Sequence, residues 1–134
     1  MDGRPAVARS LGRVADGDVG AMWWALQPNG FNHVVGDYGF LFQALPTGPG
    51  ETTVTGTWIV HEDAVEGVDY DLARLIEVWN ATNDQDRALA ENNHRGVESQ
   101  AYRPGPYSQL SEQLVLRFSE WYWSAIDRYL ARPQ

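Results

Sequence analysis

The sequence predicts an α+β fold, an antiparallel sheet packed against two long helices, and three observations carry that expectation. The first is the β-rich stretch 1–62, where "AMWWALQ", "YGFLFQAL" and "TTVTGTWIVH" are crowded with aromatic and β-branched residues and separated by "PNG" and "PTGPGE". The second is a change of period after "EDAVEGVDYD", where Leu72, Leu75, Ile76 and Trp79 fall at i, i+3, i+4 and i+7, the stripe of a core-facing helix. The third is the last segment, "SEQLVLRFSEWYWSAIDRYLAR", which gathers Leu114, Phe118, Trp121, Tyr122, Ala125 and Tyr129 on one helical face. Strands followed by helices, instead of alternating with them, place the helices on one side of an antiparallel sheet.

The third strand is the clearest. Val54, Trp58 and Val60 alternate with Thr53, Thr55 and Thr57, the period of a sheet with one drier and one wetter face. Gly56 interrupts this pattern and suggests a bulge or a close backbone approach. The first helix is expected over about 70–93, with Asp69 or Asp71 available as its cap, followed by a loop over 94–109 where "HRG" and "YRPGPYS" oppose regular structure. The second helix is expected over about 110–131. Three clear strands are few for helices of this length, so exposed sheet edges are expected unless other chain supplies the missing strands.

At 134 residues, with 43% hydrophobic and 21% charged content, the chain is one domain's worth. Its net charge of -8 argues against nucleic acid or an anionic membrane as partner, since both are bound through clustered Lys and Arg. The absence of cysteine excludes disulfides, thiolate metal sites and Cys nucleophiles within this chain. The N-terminal stretch has no apolar run behind its charges and nothing approaches the ~18 consecutive apolar residues of a membrane span, so a cytoplasmic location is expected.

The stretch "WNATNDQDRALAENNHRG" places Asp84 and Asp86 where the first helix should still be running. If the helix is continuous, the step of about 100° per residue projects Asp86 from the face of Leu72 and Trp79, and Asp84 from roughly the opposite side. Asn83, Leu89, Ala90 and Asn93 share the Asp86 face. A carboxylate on a buried stripe is costly unless it is paired, hydrogen-bonded or bound to a metal. The competing reading is that "TNDQD" breaks the helix, with Thr82, Asn83 or Asp84 capping a new segment and Asp86 in its first turn. His33, His61 and His94 are scattered and do not decide between the two; His94 would project about 80° from Asp86 on a continuous helix.

The stretches "DGRPAVARSLGR" and "VHEDAVEGVDYDL" through "VWNATNDQDRALAENNHRGV" to "AYRPGPYS" closely resemble the C-terminal catalytic region of Rieske non-haem iron oxygenase α-subunits, the aromatic-ring-hydroxylating dioxygenases. The resemblance covers essentially the whole chain and is nearest to the branch acting on glycine betaine, stachydrine and related quaternary ammonium compounds. It implies a partial helix-grip (START-like, SRPBCC) domain whose long helix carries the carboxylate of a 2-His-1-carboxylate iron site. The family's Asp-x-x-x-x-Glu pattern falls on Asp86 and Glu91, so the resemblance implies Asp86 as the iron ligand, with Asp84 as the fallback. Three departures concern the pocket: His94 stands where relatives usually carry Gln, "FNHVVGDY" replaces a more usual "WNH" and "DH", and "FQALPT" replaces a stretch that commonly contains Arg.

The resemblance further implies a mononuclear Fe(II) whose site is incomplete in this chain, and a Rieske [2Fe–2S] cluster expected only in a preceding domain, since that cluster needs Cys and His ligands. The helix bearing the two iron-binding histidines is also expected to lie outside this chain. A small cationic amine and O₂ as substrates, an NAD(P)H-dependent reductase and a homotrimer are the implied partners, and oxidative N-demethylation with loss of formaldehyde the implied reaction. Trp23, Trp24, Trp58 and Trp79 are candidates for an aromatic cage by chemistry, although aromatic residues in strands and on helix stripes are mostly core. Turnover by the 134 residues alone is not expected. The alternative reading is a catalytically inactive truncated module that binds a small molecule or associates with other subunits; a misassigned internal start at Met1 would produce the same sequence.

Overall fold

In a computed structural model, described here for residues 3–13 and 20–132, the chain is α+β, with a four-stranded antiparallel sheet and two helices. Residues 14–19, part of the stretch expected to be β-rich, and the chain ends at 1–2 and 133–134 lie outside the described residues. Strands β1 (Met22–Leu26), β2 (Gly30–Val34), β3 (Gly39–Gly48) and β4 (Glu51–Ile59) form a meander in chain order. Helices α1 (Leu72–Val97) and α2 (Gln113–Leu130) follow. By its internal packing the chain divides into two compact units, Met1–Ala90 and Glu91–Gln134.

In the first unit, strand register brings four aromatic side chains into one row across the sheet. Trp23 of β1 faces His33 of β2, His33 faces Phe40 of β3, and Phe40 faces Trp58 of β4. Side chains alternate across a strand, so Phe31, Phe42 and Gly56 lie on the same face one step further along. Trp79 of α1 is laid over this row, stacked on Phe40 with ring centroids 4.3 Å apart. Phe40 is 0% exposed and, with Val7 and Leu75, makes up the fully buried apolar core among the described residues. Gly56 is the close approach anticipated from its place in the third expected strand: a Cβ there would meet Phe40 Cε2 at 2.9 Å.

The segment ahead of the sheet is stitched to this core by backbone groups. Asp37 accepts the N–H groups of Ala6 and Val7 at 2.6 and 3.1 Å, and the Ala8 N–H donates to the Asp69 carbonyl at 2.8 Å. These bonds hold Val7 in place beneath Tyr70, with which it forms an isolated bridge. Asp71 caps α1, accepting the Arg74 N–H at 2.9 Å, the third helical residue from the cap. Asp69, the other candidate cap, instead accepts the Val65 N–H and pairs with Arg9 at 3.2 Å. Those bonds, the Val65 one foremost and then the Arg9 charge, hold its carboxyl below the ordinary carboxylate range.

Several expectations are corrected here. The sheet has a fourth strand, β2, drawn from "GFNHV", which lacks the apolar alternation that marks the others. Helix α1 runs unbroken through "TNDQD" and on to Val97, so no new cap forms at Thr82, Asn83 or Asp84. Propagation of an existing helix adds a hydrogen bond for each residue fixed, which outweighs the weak local preference of Asn and Asp for caps. Gly96 lies within the helix, outside the left-handed region that would mark a glycine C-cap. Leu72, expected on the core stripe, is 47% exposed, and the packed face is instead drawn by Leu75, Ile76 and Trp79.

In the second unit, α2 is entered through a network around Ser108, whose Oγ accepts the N–H groups of Leu110 and Ser111 at 3.3 Å while Glu112 reaches back to the Ser108 N–H. None of the residues of α2 is buried. The stripe expected to be core is therefore open: Leu114 is 79% exposed and Tyr129 71%, with only Phe118 and Ala125 of that set half-buried. Phe118 and Tyr122 stack at 5.8 Å along the helix, and Trp121 lies beside both rings, at 5.9 and 6.5 Å.

Candidate functional site

Trp79 is the side chain that seats α1 on the sheet. Its indole stacks on Phe40, meets the His33 ring at 4.6 Å, and donates its Nε1–H to the Tyr38 hydroxyl at 3.0 Å. Tyr38 stands in the turn between β2 and β3, half-buried, and desolvation pushes its phenol above the ordinary tyrosine range. Because α1 is continuous, Asp86 leaves the helix within about 20° of the direction of Trp79, about two turns or ~10 Å further along the axis. Both residues belong to the first unit.

Asp86 is exposed, and among the described residues its carboxylate has no hydrogen bond or ion pair. Its exposure differs from the buried stripe expected by helical phase. Counting residues fixes a direction and not what covers it, and the sheet covers only the turns around Leu75 and Trp79. Asp84 projects from the other side and pairs with Arg87 at 3.2 Å on the surface, both side chains largely exposed. Glu91, also exposed, leaves the helix about 140° from Asp86, so the two carboxylates do not converge. Each histidine has its own local partners: His61 Nδ1 accepts the Asp63 N–H at 3.1 Å, His94 lies 3.4 Å from Glu98, and His33 is in the aromatic row.

No group of three His, Cys, Asp or Glu able to hold a metal occurs among the described residues. The donor chemistry at Asp86 nevertheless fits one corner of a ferrous site: a carboxylate whose oxygens are free, with the nearest cation on the helix, Arg87, already engaged by Asp84. The four tryptophans divide by strand alternation. Trp58 and Trp79 are in the packed cluster, Trp24 is turned to the opposite face from Trp23, and Trp23, 73% exposed, is the open indole on the helix-facing side.

Two polar atoms of this face, His33 Nδ1 and Trp58 Nε1, are buried without a hydrogen-bond partner among the described residues. His33 lies near a strand end, as its place in the sequence suggests, one residue before the end of β2; what the sequence did not show is its packing in the aromatic row. Burial lowers the His33 pKa from 6.5, since the charged imidazolium is poorly solvated among Trp23, Phe40 and Trp79. The unfolded chain therefore binds a proton that the folded one resists, and stability falls as the pH drops through about 6.5 toward the lower folded value. The urea midpoint of this chain should decrease between about pH 7.5 and about pH 5.5, and His33→Leu should flatten that slope. An unchanged slope in the variant would show that other groups set it.

The class to which this helix and sheet belong is settled by comparison. The model of the family described as the ring hydroxylating alpha subunit (catalytic domain) matches residues 1–128, and the chain belongs to that family. Among individual relatives, it is 52% identical over 122 residues to the glycine betaine monooxygenase oxygenase subunit of Pseudomonas aeruginosa, in two strains. It is equally similar to the protein of that name from Chromohalobacter salexigens, at 52% identity. Each match covers 91% of this chain, which spans only 28% of the Pseudomonas subunit's length and 27% of the Chromohalobacter one. Among the described residues no helix is long and apolar enough to cross a membrane.

Proposed function

We propose that the chain is the carboxylate-bearing part of the catalytic domain of a Rieske-type mononuclear iron oxygenase that N-demethylates a quaternary ammonium compound such as glycine betaine. The observation that carries this reading is the place of Asp86, an acid without a partner among the described residues, on the face of α1 that Trp79 anchors to the sheet, in a chain of the ring-hydroxylating family. Asp86 is the one carboxylate ligand, and two histidines come from polypeptide outside these 134 residues. The chemistry such a site supplies when loaded is activation of O₂, with electrons arriving from NAD(P)H through a reductase and a Rieske [2Fe–2S] cluster, so that an N-methyl group is hydroxylated and leaves as formaldehyde.

The chain's own residues have three tasks in this reading. Asp86 contributes one negative charge to a dication while occupying one coordination position, which leaves others open. Trp79 and the aromatic row hold α1 so that this charge faces the sheet side. The exposed π face of Trp23 suits a methylated ammonium, whose charge is too diffuse for strong hydrogen bonding but is attracted to an indole face. Assembly as a homotrimer in the cytoplasm completes the reading.

The test is a chimera in which this chain replaces the matching 122-residue stretch of the Pseudomonas aeruginosa subunit. With its reductase supplied, the chimera is expected to release formaldehyde from glycine betaine and to hold mononuclear iron in addition to its Rieske cluster, whereas the 134 residues alone turn nothing over. A chimera with an intact Rieske spectrum but no mononuclear iron would favour the inactive-module reading instead.

A further inference from the structure

The bond between Tyr38 and Trp79 has no role in the function just described, yet its position is specific. It joins the turn before β3 to the one aromatic side chain of α1 that is packed into the sheet. The stack of Trp79 on Phe40, with an interplanar angle of 16°, fixes how closely the helix approaches but leaves the indole free to slide in its own plane. The Nε1–H bond at 3.0 Å removes that freedom, because it pins one edge of the ring to one point on the turn. The His33 ring, tilted at 59° to the indole, bounds it from another side. A side chain held on three sides fixes the rotation of its helix, and every residue on that face inherits the rotation.

We propose that Tyr38 is a positioning residue for Asp86: by accepting the Trp79 indole N–H, it sets the roll of α1 about its axis and so the direction in which the Asp86 carboxylate leaves the helix. The inference rests on the reading of Asp86 as the iron ligand and names the residue that aims it. Tyr38 itself touches neither metal nor substrate; its effect passes through Trp79 and about two turns of rigid helix. Partners hydrogen-bonded directly to a ligand typically govern metal affinity by about 10- to 100-fold, and a residue acting through its helix is expected at the low end of that range.

The experiment uses the full chimera described above, stripped of mononuclear metal and titrated with Fe(II), with the EPR line shape of the nitric oxide adduct as a second readout. Tyr38→Phe keeps the ring and loses the acceptor; Trp79→Phe keeps an aromatic stack and loses the donor. Each is expected to weaken Fe(II) binding by about 10-fold and to alter the line shape, and the double variant to do no worse than the weaker-binding single one, because both remove the same bond. Unchanged affinity and line shape in Tyr38→Phe, whatever happens to its melting temperature, would overturn the proposal and leave the ligand assignment standing. Fe(II) affinity unchanged in Asp86→Ala would overturn the ligand assignment itself, and this proposal with it.

Discussion

Phe40→Ala is expected to cost this chain about 3–5 kcal/mol and to abolish the near-ultraviolet circular dichroism of the aromatic row. Phe40 makes the most ring contacts in the cluster among the described residues, with Trp58 at 4.8 Å, Trp79 at 4.3 Å, His33 at 6.5 Å and Phe42 at 6.3 Å. Truncating it removes the surface on which α1 stacks and leaves a cavity that neither neighbouring strand can fill, since backbone hydrogen bonds hold β2 and β4 at fixed spacing on either side of β3. The loss falls on a core with few other members, Val7 and Leu75 being the remaining fully buried apolar side chains among the described residues. Denaturant unfolding followed by tryptophan fluorescence and circular dichroism measures it. A shift below about 1 kcal/mol would mean that the row is not what holds the first unit together.

Gly56→Val should be the next most damaging change, at about 1–3 kcal/mol, through overpacking instead of a cavity. A Cβ at position 56 would stand 2.9 Å from Phe40 Cε2 and 3.1 Å from its Cζ, and the Phe40 ring is held by the stacked Trp79 and by Trp58. The backbone of Gly56 is not in the left-handed region, so the penalty is steric and a smaller ring partner should relieve it. Phe40→Leu combined with Gly56→Val is therefore expected to be more stable than the sum of the two single losses predicts. Simple additivity, measured by the same denaturant midpoints, would place the strain elsewhere.

Much of this was legible in the residues. The alternation around Trp58 located β4 and its inner face, the spacing of Leu75, Ile76 and Trp79 located α1, and Asp71 was visible as one of two caps. Local signals failed where tertiary context decides. Strand β2 is five residues containing Asn and His, and it is a strand because hairpin register presents it with partners on both sides. The helix continues through "TNDQD" because cooperativity in a helix already begun overrides capping preference. Helical phase gave the direction of Asp86 but not its surroundings, and the same holds for the open stripe of α2: periodicity states which face is apolar, never what covers it. Tyr38, whose role depends on one hydrogen bond across 41 positions of sequence, left no local trace.

The measurement that bears most directly on the central claim is the mononuclear iron content of the chimera carrying Asp86→Ala beside that carrying Asp84→Ala, with the Rieske spectrum as the control for folding. Asp86→Ala is expected to empty the site while Asp84→Ala, which breaks only the surface pair with Arg87, leaves it filled. Iron retained in Asp86→Ala and lost in Asp84→Ala would contradict the assignment and place the ligand on the other side of the helix.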